Sequence, residues 1–349
     1  MKNATKLILT LFLVNTAIFA QEAEVVEEMK SAGLQISGSA DIYYKYDFSG
    51  ESNIPTSFAD AQNTVAIGML DIGLSHSTGK VSFVGEFSFG PRSFKSIPTL
   101  TDGGGTERYI NIQNLYMSYA LTDKLTLTGG YMGTFVGYEV ISPAANFNYS
   151  TSYLFTNGPF QNAGLKAEYA FSDQVSLMVG VFNDWNVYED GNGVTDFGAQ
   201  LYLAPVEGWD VYLNYLSGSP SGSVLDLTTG FQITDDFYLG ANAATYSADG
   251  EDAGGYSGVA LYPQYSFTDK VALGYRGEFF SVKEYEVEGI TVPSESVYSS
   301  TLTLNYYSGP MTFITEVRLD NAENEWFVDG DADPSQSASQ LLFAAVYSF

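Results

Sequence analysis

Tyr119-Ala120-Leu121-Thr122-Asp123 is a stretch that returns twice further along the chain. The later copies are Tyr169-Ala170-Phe171-Ser172-Asp173 and Tyr265-Ser266-Phe267-Thr268-Asp269. Each copy ends one segment of alternating apolar and polar residues, and a second such segment follows at once. A polar tip between two alternating segments is typical of a tight turn between antiparallel strands. The recurrence therefore predicts a β-hairpin that is repeated along the chain.

The alternation continues outside these hairpins and gives each strand two different faces. In the first strand the apolar face is Ile36, Gly38, Ala40, Ile42, Tyr44, Tyr46 and Phe48, and the other face is Gln35, Ser37, Ser39, Asp41, Tyr43, Lys45 and Asp47. A soluble β-sandwich would alternate in the same way. Three features distinguish a membrane barrel from a sandwich: strand length, aromatic residues at strand ends, and loops of unequal length at the two rims. A tilted membrane strand, for example, needs about 9 to 11 residues.

The pattern predicts sixteen strands. They are expected near 34–48, 63–75, 80–90, 107–120, 124–133, 162–171, 175–183, 194–203, 209–217, 222–233, 237–247, 255–267, 271–282, 296–306, 311–320 and 338–349. Pro263 lies inside one of them and lacks the N–H that a ladder needs. Fourteen or eighteen strands are the alternatives if the chain breaks there.

The connections alternate between two lengths. Short turns with Asp or Gly occur near 121–124, 172–174, 234–236, 268–270 and 308–310, and long stretches rich in Gly, Asn and Asp occur near 49–62, 91–106, 134–161, 184–193, 248–254, 283–295 and 321–337. Short turns on one rim and long loops on the other are typical of outer-membrane barrels. The sequence thus predicts an all-β, transmembrane, antiparallel up-and-down barrel with short periplasmic turns and long extracellular loops.

The two ends of the chain agree with export to the cell outer membrane. Lys2 and Lys6 precede an apolar run from 7 to 19, so residues 1–20 are predicted to be a cleaved signal peptide. Residues 21–33 form a short acidic segment, and 34–349 are expected to form one barrel. At the other end, an apolar strand with Tyr347 and the final Phe349 looks like the terminal strand that the barrel assembly machinery recognises in Gram-negative bacteria.

Charge gives the first indication of what the barrel could pass. The formal net charge of −27 excludes nucleic acid as a partner. Counted as 49–62, 91–106, 134–161, 184–193, 217–222, 248–254, 283–295 and 320–337, the predicted outer loops carry 20 acidic residues against Arg92, Lys95 and Lys283. Charged residues within strands lie opposite the lipid-facing residues and are expected to line the lumen. These are Asp41, Lys45, Glu86, Lys166, Glu168, Arg276, Glu278, Glu316 and Arg318. They could select solutes or merely pair with one another as interior filling.

The loop 134–161 is the longest and is unusually aromatic, with Glu139 as its only charged residue. The residues expected to form a constriction are Phe135, Tyr138, Glu139, Phe147, Tyr149, Tyr153 and Phe155. An apolar loop gains by leaving water, so it is expected to fold into the lumen. Packing on the rim is the alternative.

Sites for chemistry are sparse. His76 is the only His, and the chain has no Cys, so neither a zinc site nor a catalytic triad is expected. Asp329-Gly330-Asp331-Ala332-Asp333 has the spacing of a calcium loop but has Pro334 where that loop needs Gly. We expect no enzyme and no cofactor, and at most a loose divalent-ion contact at this acidic tip.

Several segments carry a family resemblance. Gly137 to Ile141, Asn146 to Tyr153, Gly158 to Gly164 and Val181 to Asn186 together resemble the OmpL-like putative β-barrel porin-2 family of Gram-negative outer-membrane proteins. The length and strand rhythm fit the same family throughout. The resemblance implies transport through a pore but names no solute.

The expected function is therefore that of a porin, which lets small hydrophilic solutes diffuse passively and prefers cations or neutral solutes. The alternatives are a surface interaction barrel whose acidic loops bind a partner, or a narrow barrel that is gated shut. The expected partners are outer-membrane lipid, the assembly machinery and small solutes or cations. The sequence leaves open whether the barrel is a monomer or a homo-oligomer.

Overall fold

A computed structural model describes residues 33–96 and 110–349. Within these ranges sixteen antiparallel strands form one closed barrel in which each strand pairs with its neighbours along the chain. The barrel strands are β1 (Gln35–Asp47), β2 (Thr64–Thr78), β3 (Val81–Phe89), β4 (Ile110–Thr122), β5 (Leu125–Gly133), β6 (Gln161–Ser172), β7 (Val175–Phe182), β8 (Asp196–Val206), β9 (Trp209–Gly218), β10 (Gly222–Gln232), β11 (Phe237–Ser247), β12 (Gly255–Thr268), β13 (Val271–Val282), β16 (Glu295–Ser308), β17 (Met311–Ala322) and β20 (Ser337–Ser348).

The remaining elements lie in the long connections. Two small hairpins stand outside the barrel sheet, β14 (Tyr285–Val287) with β15 (Ile290–Val292) and β18 (Phe327–Val328) with β19 (Pro334–Ser335). The helices are α1 (Pro91–Ser96), a 3₁₀ turn (Pro143–Ala145) and α2 (Tyr153–Asn157). No helix in the described ranges is long and apolar enough to cross a membrane.

All sixteen predicted strands are confirmed, with ends that differ by a few residues, and the predicted start of the fourth strand, 107–109, lies outside the described residues. Pro263 does not break β12, which pairs with β13 in the same register on both sides of it, Leu261 with Gly277 and Gln264 with Gly274. The two hairpins β14–β15 and β18–β19 were not predicted. The predicted signal peptide and residues 21–32 of the acidic segment lie outside the described residues.

The strand β20 closes the barrel by pairing with β1 over nine residue pairs, from Ser39–Ser348 to Asp47–Gln340. Phe349 continues this seam, because its backbone exchanges two hydrogen bonds of 3.0 Å with Gly38. The Phe349 ring also lies across Gly38, which has no side chain to obstruct it. Recognition of Tyr347 and Phe349 by assembly machinery stays a prediction.

The two faces of each strand differ as the alternation predicts. In β17 the outward Phe313, Val317 and Leu319 are exposed, and the inward Glu316 and Arg318 are buried. Aromatic residues near the short turns, such as Tyr265 and Phe267, also point outward and are exposed. Apolar residues toward lipid and polar residues toward the lumen are the arrangement that a membrane barrel requires.

Candidate functional site

The long connection between β5 and β6 folds into the interior of the barrel. We call residues 134–160 the inner loop. Tyr149 and Tyr153 are only 1% and 2% exposed, and Phe135, Glu139 and Phe155 are also buried. The loop thereby removes its aromatic surface from water, which is the main driving force for its position. It places Phe135, Tyr138, Glu139, Phe147, Tyr149, Tyr153 and Phe155 inside the barrel.

Two glutamates of the barrel wall hold the backbone of the inner loop. Glu316 accepts hydrogen bonds from the backbone N–H groups of Tyr149, at 3.0 Å, and Ser150. Glu278 accepts from the N–H groups of Tyr153 and Leu154 at 2.9 and 2.8 Å. These N–H groups belong to residues just before α2 or in its first turn, where the helix itself offers them no hydrogen-bond acceptor. The two carboxylates supply the missing acceptors.

Two arginines of the same wall hold loop carbonyl groups. Arg276 donates to the carbonyl oxygen of Ser150 at 2.6 Å and forms an ion pair of 2.7 Å with Glu139. Arg318 donates to the carbonyl oxygen of Thr151 at 2.9 Å and pairs with Asp320 at 2.9 Å. Both arginine side chains are fully buried. The wall therefore binds loop donors with carboxylates and loop acceptors with guanidinium groups.

The inner loop also reaches wall residues far from β13 and β17. The Tyr149 hydroxyl donates to Asp41 on β1, and Ser142 donates to Asp71 on β2 at 3.1 Å. On another side, the N–H of Gly137 donates to Asp226 on β10 at 3.0 Å. Because these contacts lie on widely separated strands, the loop spans the lumen and narrows it.

Lumen-facing glycines provide space for the aromatic rings of the inner loop. Phe147 lies so close to Gly274 of β13 that an added Cβ there would be 2.2 Å from the ring. Tyr138 lies equally close to Gly240 of β11. A Cβ added at Gly240 would be 2.3 Å from the Tyr138 hydroxyl. The tyrosine is also stacked on Tyr262 at 4.2 Å between ring centroids. These glycines allow close approach of the loop to the wall.

Gly274→Ala should dislodge Phe147, because the new methyl group would overlap its ring. Overpacking of this kind costs about 1–3 kcal/mol, and the cost should appear as a lower free energy of unfolding and a less constricted channel. Urea unfolding followed by tryptophan fluorescence, together with single-channel recording, measures both. Gly85→Ala is the matched control, since the nearest side-chain atom there is 3.9 Å away. Equal stability of the two variants would contradict the close packing.

The predicted pore-lining residues fall into two groups. Asp41, Lys45, Arg276, Glu278, Glu316 and Arg318 are nearly or fully buried. Glu86, Lys166 and Glu168 are partly exposed on the interior wall formed by β3 and β6. Only the second group keeps a sizeable accessible surface. A role in lining the aqueous path stays a prediction for both groups.

Several charged residues of the interior are not among those predicted to line the pore. Three of them occupy inward-facing positions in the alternation of their strands and could have been identified from it: Asp71, Asp226 and Asp320. Arg92 in α1 was assigned to an outer loop, but it is buried, and its guanidinium lies over the Phe58 ring at 4.6 Å and the Tyr149 ring at 5.0 Å. No periodicity signals its position, because α1 follows the strand β3 and turns back inside the barrel.

The structure also describes the surroundings of His76 and of the acidic tip 329–333. The His76 ring is near the Phe83 ring, at 6.3 Å between centroids. One carboxylate oxygen of Asp329 accepts hydrogen bonds from the N–H groups of Asp331 and Asp333, so it is occupied within its own turn. In the described part of the chain, no group of three or more His, Cys, Asp or Glu residues is arranged to hold a metal ion.

A closed sixteen-strand barrel with a loop folded into a polar interior is the architecture of an outer-membrane porin. Residues 33–349 match the model of a family described as putative beta-barrel porin-2, OmpL-like. The chain belongs to this porin family. No curated protein sequence matches it.

Solved structures of outer-membrane barrels share the fold at low sequence identity. OmpT of Vibrio cholerae is 12% identical with a TM-score of 0.58, over 93% of this chain and 100% of that chain. OmpF of Salmonella typhi, in complex with daunomycin, is 13% identical with a TM-score of 0.60, over 90% and 97%. An anion-selective porin from Comamonas acidovorans is 10% identical with a TM-score of 0.59, over 92% and 100%.

Proposed function

We propose that the protein is a passive diffusion channel for small hydrophilic solutes that prefers cations or neutral solutes over anions. A related fold does not decide the preference, since one structurally similar barrel is described as anion-selective. Whether cations or anions are preferred must depend on the charges that this chain presents to the aqueous path.

The distribution of interior charge carries the proposal. The partly exposed acids of the interior wall are Glu86, Glu168 and Asp210, and Lys166 is the partly exposed base among the described residues there. The buried bases contribute less to the lumen, because Arg276 and Arg318 are paired with Glu139 and Asp320. A negative lumen below an acidic mouth raises the local concentration of cations and disfavours anions.

Reversal potentials in planar bilayers under a KCl gradient test this preference. We expect potassium to be favoured over chloride, and the bias to weaken as salt rises, because screening acts over about 10 Å at 0.1 M. Glu86→Gln combined with Glu168→Gln should reduce the preference, whereas the exposed turn variant Asp173→Asn should not. A chloride preference in the unmodified protein would overturn the proposed selectivity.

Liposome swelling with sugars of graded size tests the pore itself. We expect swelling rates to fall with sugar size. A barrel that serves only as a surface interaction protein, or one that is gated shut, would give no swelling with any of the sugars. The two measurements are independent, because swelling with neutral sugars does not depend on the sign of the lumenal charge.

A further inference from the structure

Three tyrosine side chains lie on one part of the interior wall, towards the rim of short turns. They are Tyr202 on β8, Tyr212 on β9 and Tyr238 on β11, and we call them the tyrosine band. Each occupies an inward-facing position of its strand. Tyr212, for example, shares its face with the buried Asn214, while Leu213 between them is exposed on the outer face. All three tyrosines are half-buried, so each keeps accessible surface on the lumen side.

The three rings lie side by side across four neighbouring strands. Tyr202 and Tyr212 are directly paired between β8 and β9, with 5.0 Å between their ring centroids. On β10, Gly230 has no side chain, and the Tyr238 hydroxyl occupies the space that one would fill. The Tyr238 ring therefore lies along the wall, and Tyr212 is close enough to interact with it electrostatically. A glycine at this position allows the close approach.

One carboxylate stands among the three rings. Asp210 Oδ1 accepts a hydrogen bond of 2.7 Å from the Tyr202 hydroxyl, and the carboxylate also interacts electrostatically with Tyr212 and Tyr238. Within the described ranges no donor reaches its other oxygen, Oδ2, and that oxygen is not fully enclosed. An ionised carboxylate accepts hydrogen bonds at both oxygens. Asp210 can therefore accept further hydrogen bonds from a molecule in the lumen.

Two charged residues of β6 border the tyrosine band. Lys166 and Glu168 occupy inward-facing positions and are both partly exposed. Glu168 is close enough to Tyr212 to interact with it electrostatically. The wall thus combines accessible aromatic surface with carboxylate acceptors and one ammonium donor. Binding sites for small molecules are commonly built in this way, from apolar and aromatic surface with a few polar groups that fix orientation.

These features define the shape and chemistry of a ligand. Aromatic surface gains free energy when an apolar face covers it and displaces water. The neighbouring carboxylates favour a ligand with hydroxyl donors, and hydroxyl groups can also accept from an ammonium group. A pyranose ring has both properties, because its axial C–H bonds form an apolar face and its equatorial hydroxyl groups project from the edge.

We propose that the tyrosine band is a binding surface for pyranose sugars. One sugar ring lies against Tyr212, and a second ring of the same molecule lies against Tyr202 or Tyr238. Hydroxyl groups of the sugar donate to Asp210 and Glu168. An acyclic polyol has the hydroxyl groups without the apolar face and gains only part of this interaction.

The tyrosine band deepens the proposed function by naming a class of solute. It rests on that function, because the lumen is the route by which a sugar reaches the wall. A binding surface along the path can be filled, so sugar flux through the channel should saturate at high sugar concentration. Flux through a channel without such a surface rises in proportion to concentration.

Saturation-transfer NMR on the folded barrel tests the surface, with cellobiose as the probe and a detergent that has no sugar head group. Sorbitol has the hydroxyl groups of a sugar without the ring, and benzylammonium has an aromatic ring and a positive charge without hydroxyl groups. We expect cellobiose to bind at least about tenfold more tightly than sorbitol. No binding of cellobiose, equal binding of cellobiose and sorbitol, or binding of benzylammonium in place of cellobiose would overturn the proposal.

Tyr212→Ala and Tyr238→Ala each remove one ring, from two different strands. Each should weaken cellobiose binding at least about tenfold, because aromatic side chains commonly dominate binding energy, whereas Tyr212→Phe keeps the ring and should keep the binding. Tyr215→Ala is the matched control, since Tyr215 is exposed on the outer face of the same strand. Heat-modified mobility in gel electrophoresis identifies the variants that have folded. Unchanged cellobiose binding in a folded variant that lacks Tyr212 or Tyr238 would reject the tyrosine band.

The proposed function can fail independently of this surface. If the barrel shows no conductance and no swelling but binds cellobiose through the tyrosines, the porin proposal fails and the surface stands. If conductance and cation preference are as proposed but the alanine variants bind cellobiose normally, only the surface is rejected.

Discussion

Deletion of residues 144–156 should at least double the single-channel conductance, because it removes the part of the inner loop that crosses the lumen. The residues that remain, 134–143 and 157–160, are long enough to connect β5 with β6, since Gly133 and Gln161 are paired neighbours in the sheet. The barrel sheet itself does not include the deleted residues. A sixteen-strand barrel without an internal loop is wide enough for an aqueous channel, so the conducting cross-section should grow.

The same deletion should leave the sign of the cation preference unchanged. Arg276 and Arg318 lose the carbonyl oxygens of Ser150 and Thr151, and Glu278 and Glu316 at the same time lose the backbone N–H groups that they bind, so two charges of each sign become accessible from the lumen. Conductance should therefore rise without a reversal of the selectivity. Deletion of 284–293 is the control, since it removes the hairpin β14–β15 outside the barrel sheet. An unchanged conductance in the first deletion would refute the role of the inner loop as a constriction.

The barrel could be predicted from sequence because its rules are local. Alternation with period two, together with a polar turn between the two strands of each hairpin, locates all sixteen strands without any knowledge of distant contacts. Pro263 was the one position that put the strand count in doubt. It is harmless because β12 keeps its register with β13 on both sides of the proline.

The interior could be predicted only in part. The aromatic composition of the inner loop favours a position inside the barrel, but it does not identify the residues that hold the loop. Arg276 and Glu139 are 137 positions apart in the chain, and each has other charged residues closer in sequence. Phe147 and Gly274 are also far apart in the chain, and their contact depends on how the inner loop lies against the barrel wall. Alternation predicts which charged residues point inward. It does not predict which of them the inner loop covers and which remain exposed.

The hairpin β14–β15 has a local sequence signal at its turn. Its turn is formed by Glu288 and Gly289, which both have positive φ values, 53° and 77°. Gly adopts this conformation without strain and favours two-residue hairpin turns. The sequence around it lies in a stretch rich in acids, which favoured its assignment as a loop. The extra hairpin leaves the barrel unchanged because it pairs only with itself.

Arg276→Met should cause the largest loss of stability among single substitutions at the inner loop. Arg276 is fully buried and donates to Glu139, to the backbone and side chain of Ser150, and to Thr301. Its removal leaves Glu139 as an uncompensated buried charge, which costs about 3–5 kcal/mol. We expect a lower free energy of unfolding and frequent fluctuations of the single-channel current as the loop detaches.

The double variant Arg276→Met with Glu139→Gln distinguishes charge pairing from simple loss of packing. Replacing Glu139 removes the uncompensated charge, so the double variant should recover at least about half of the lost stability. Glu139 also accepts a hydrogen bond of 2.7 Å from the N–H of Ser152, and Gln can still accept it. Lys80→Met controls for the loss of one positive charge at an exposed turn. If the double variant is no more stable than Arg276→Met alone, the ion pair is not what holds the inner loop, and the backbone contacts to Glu278 and Glu316 carry that role.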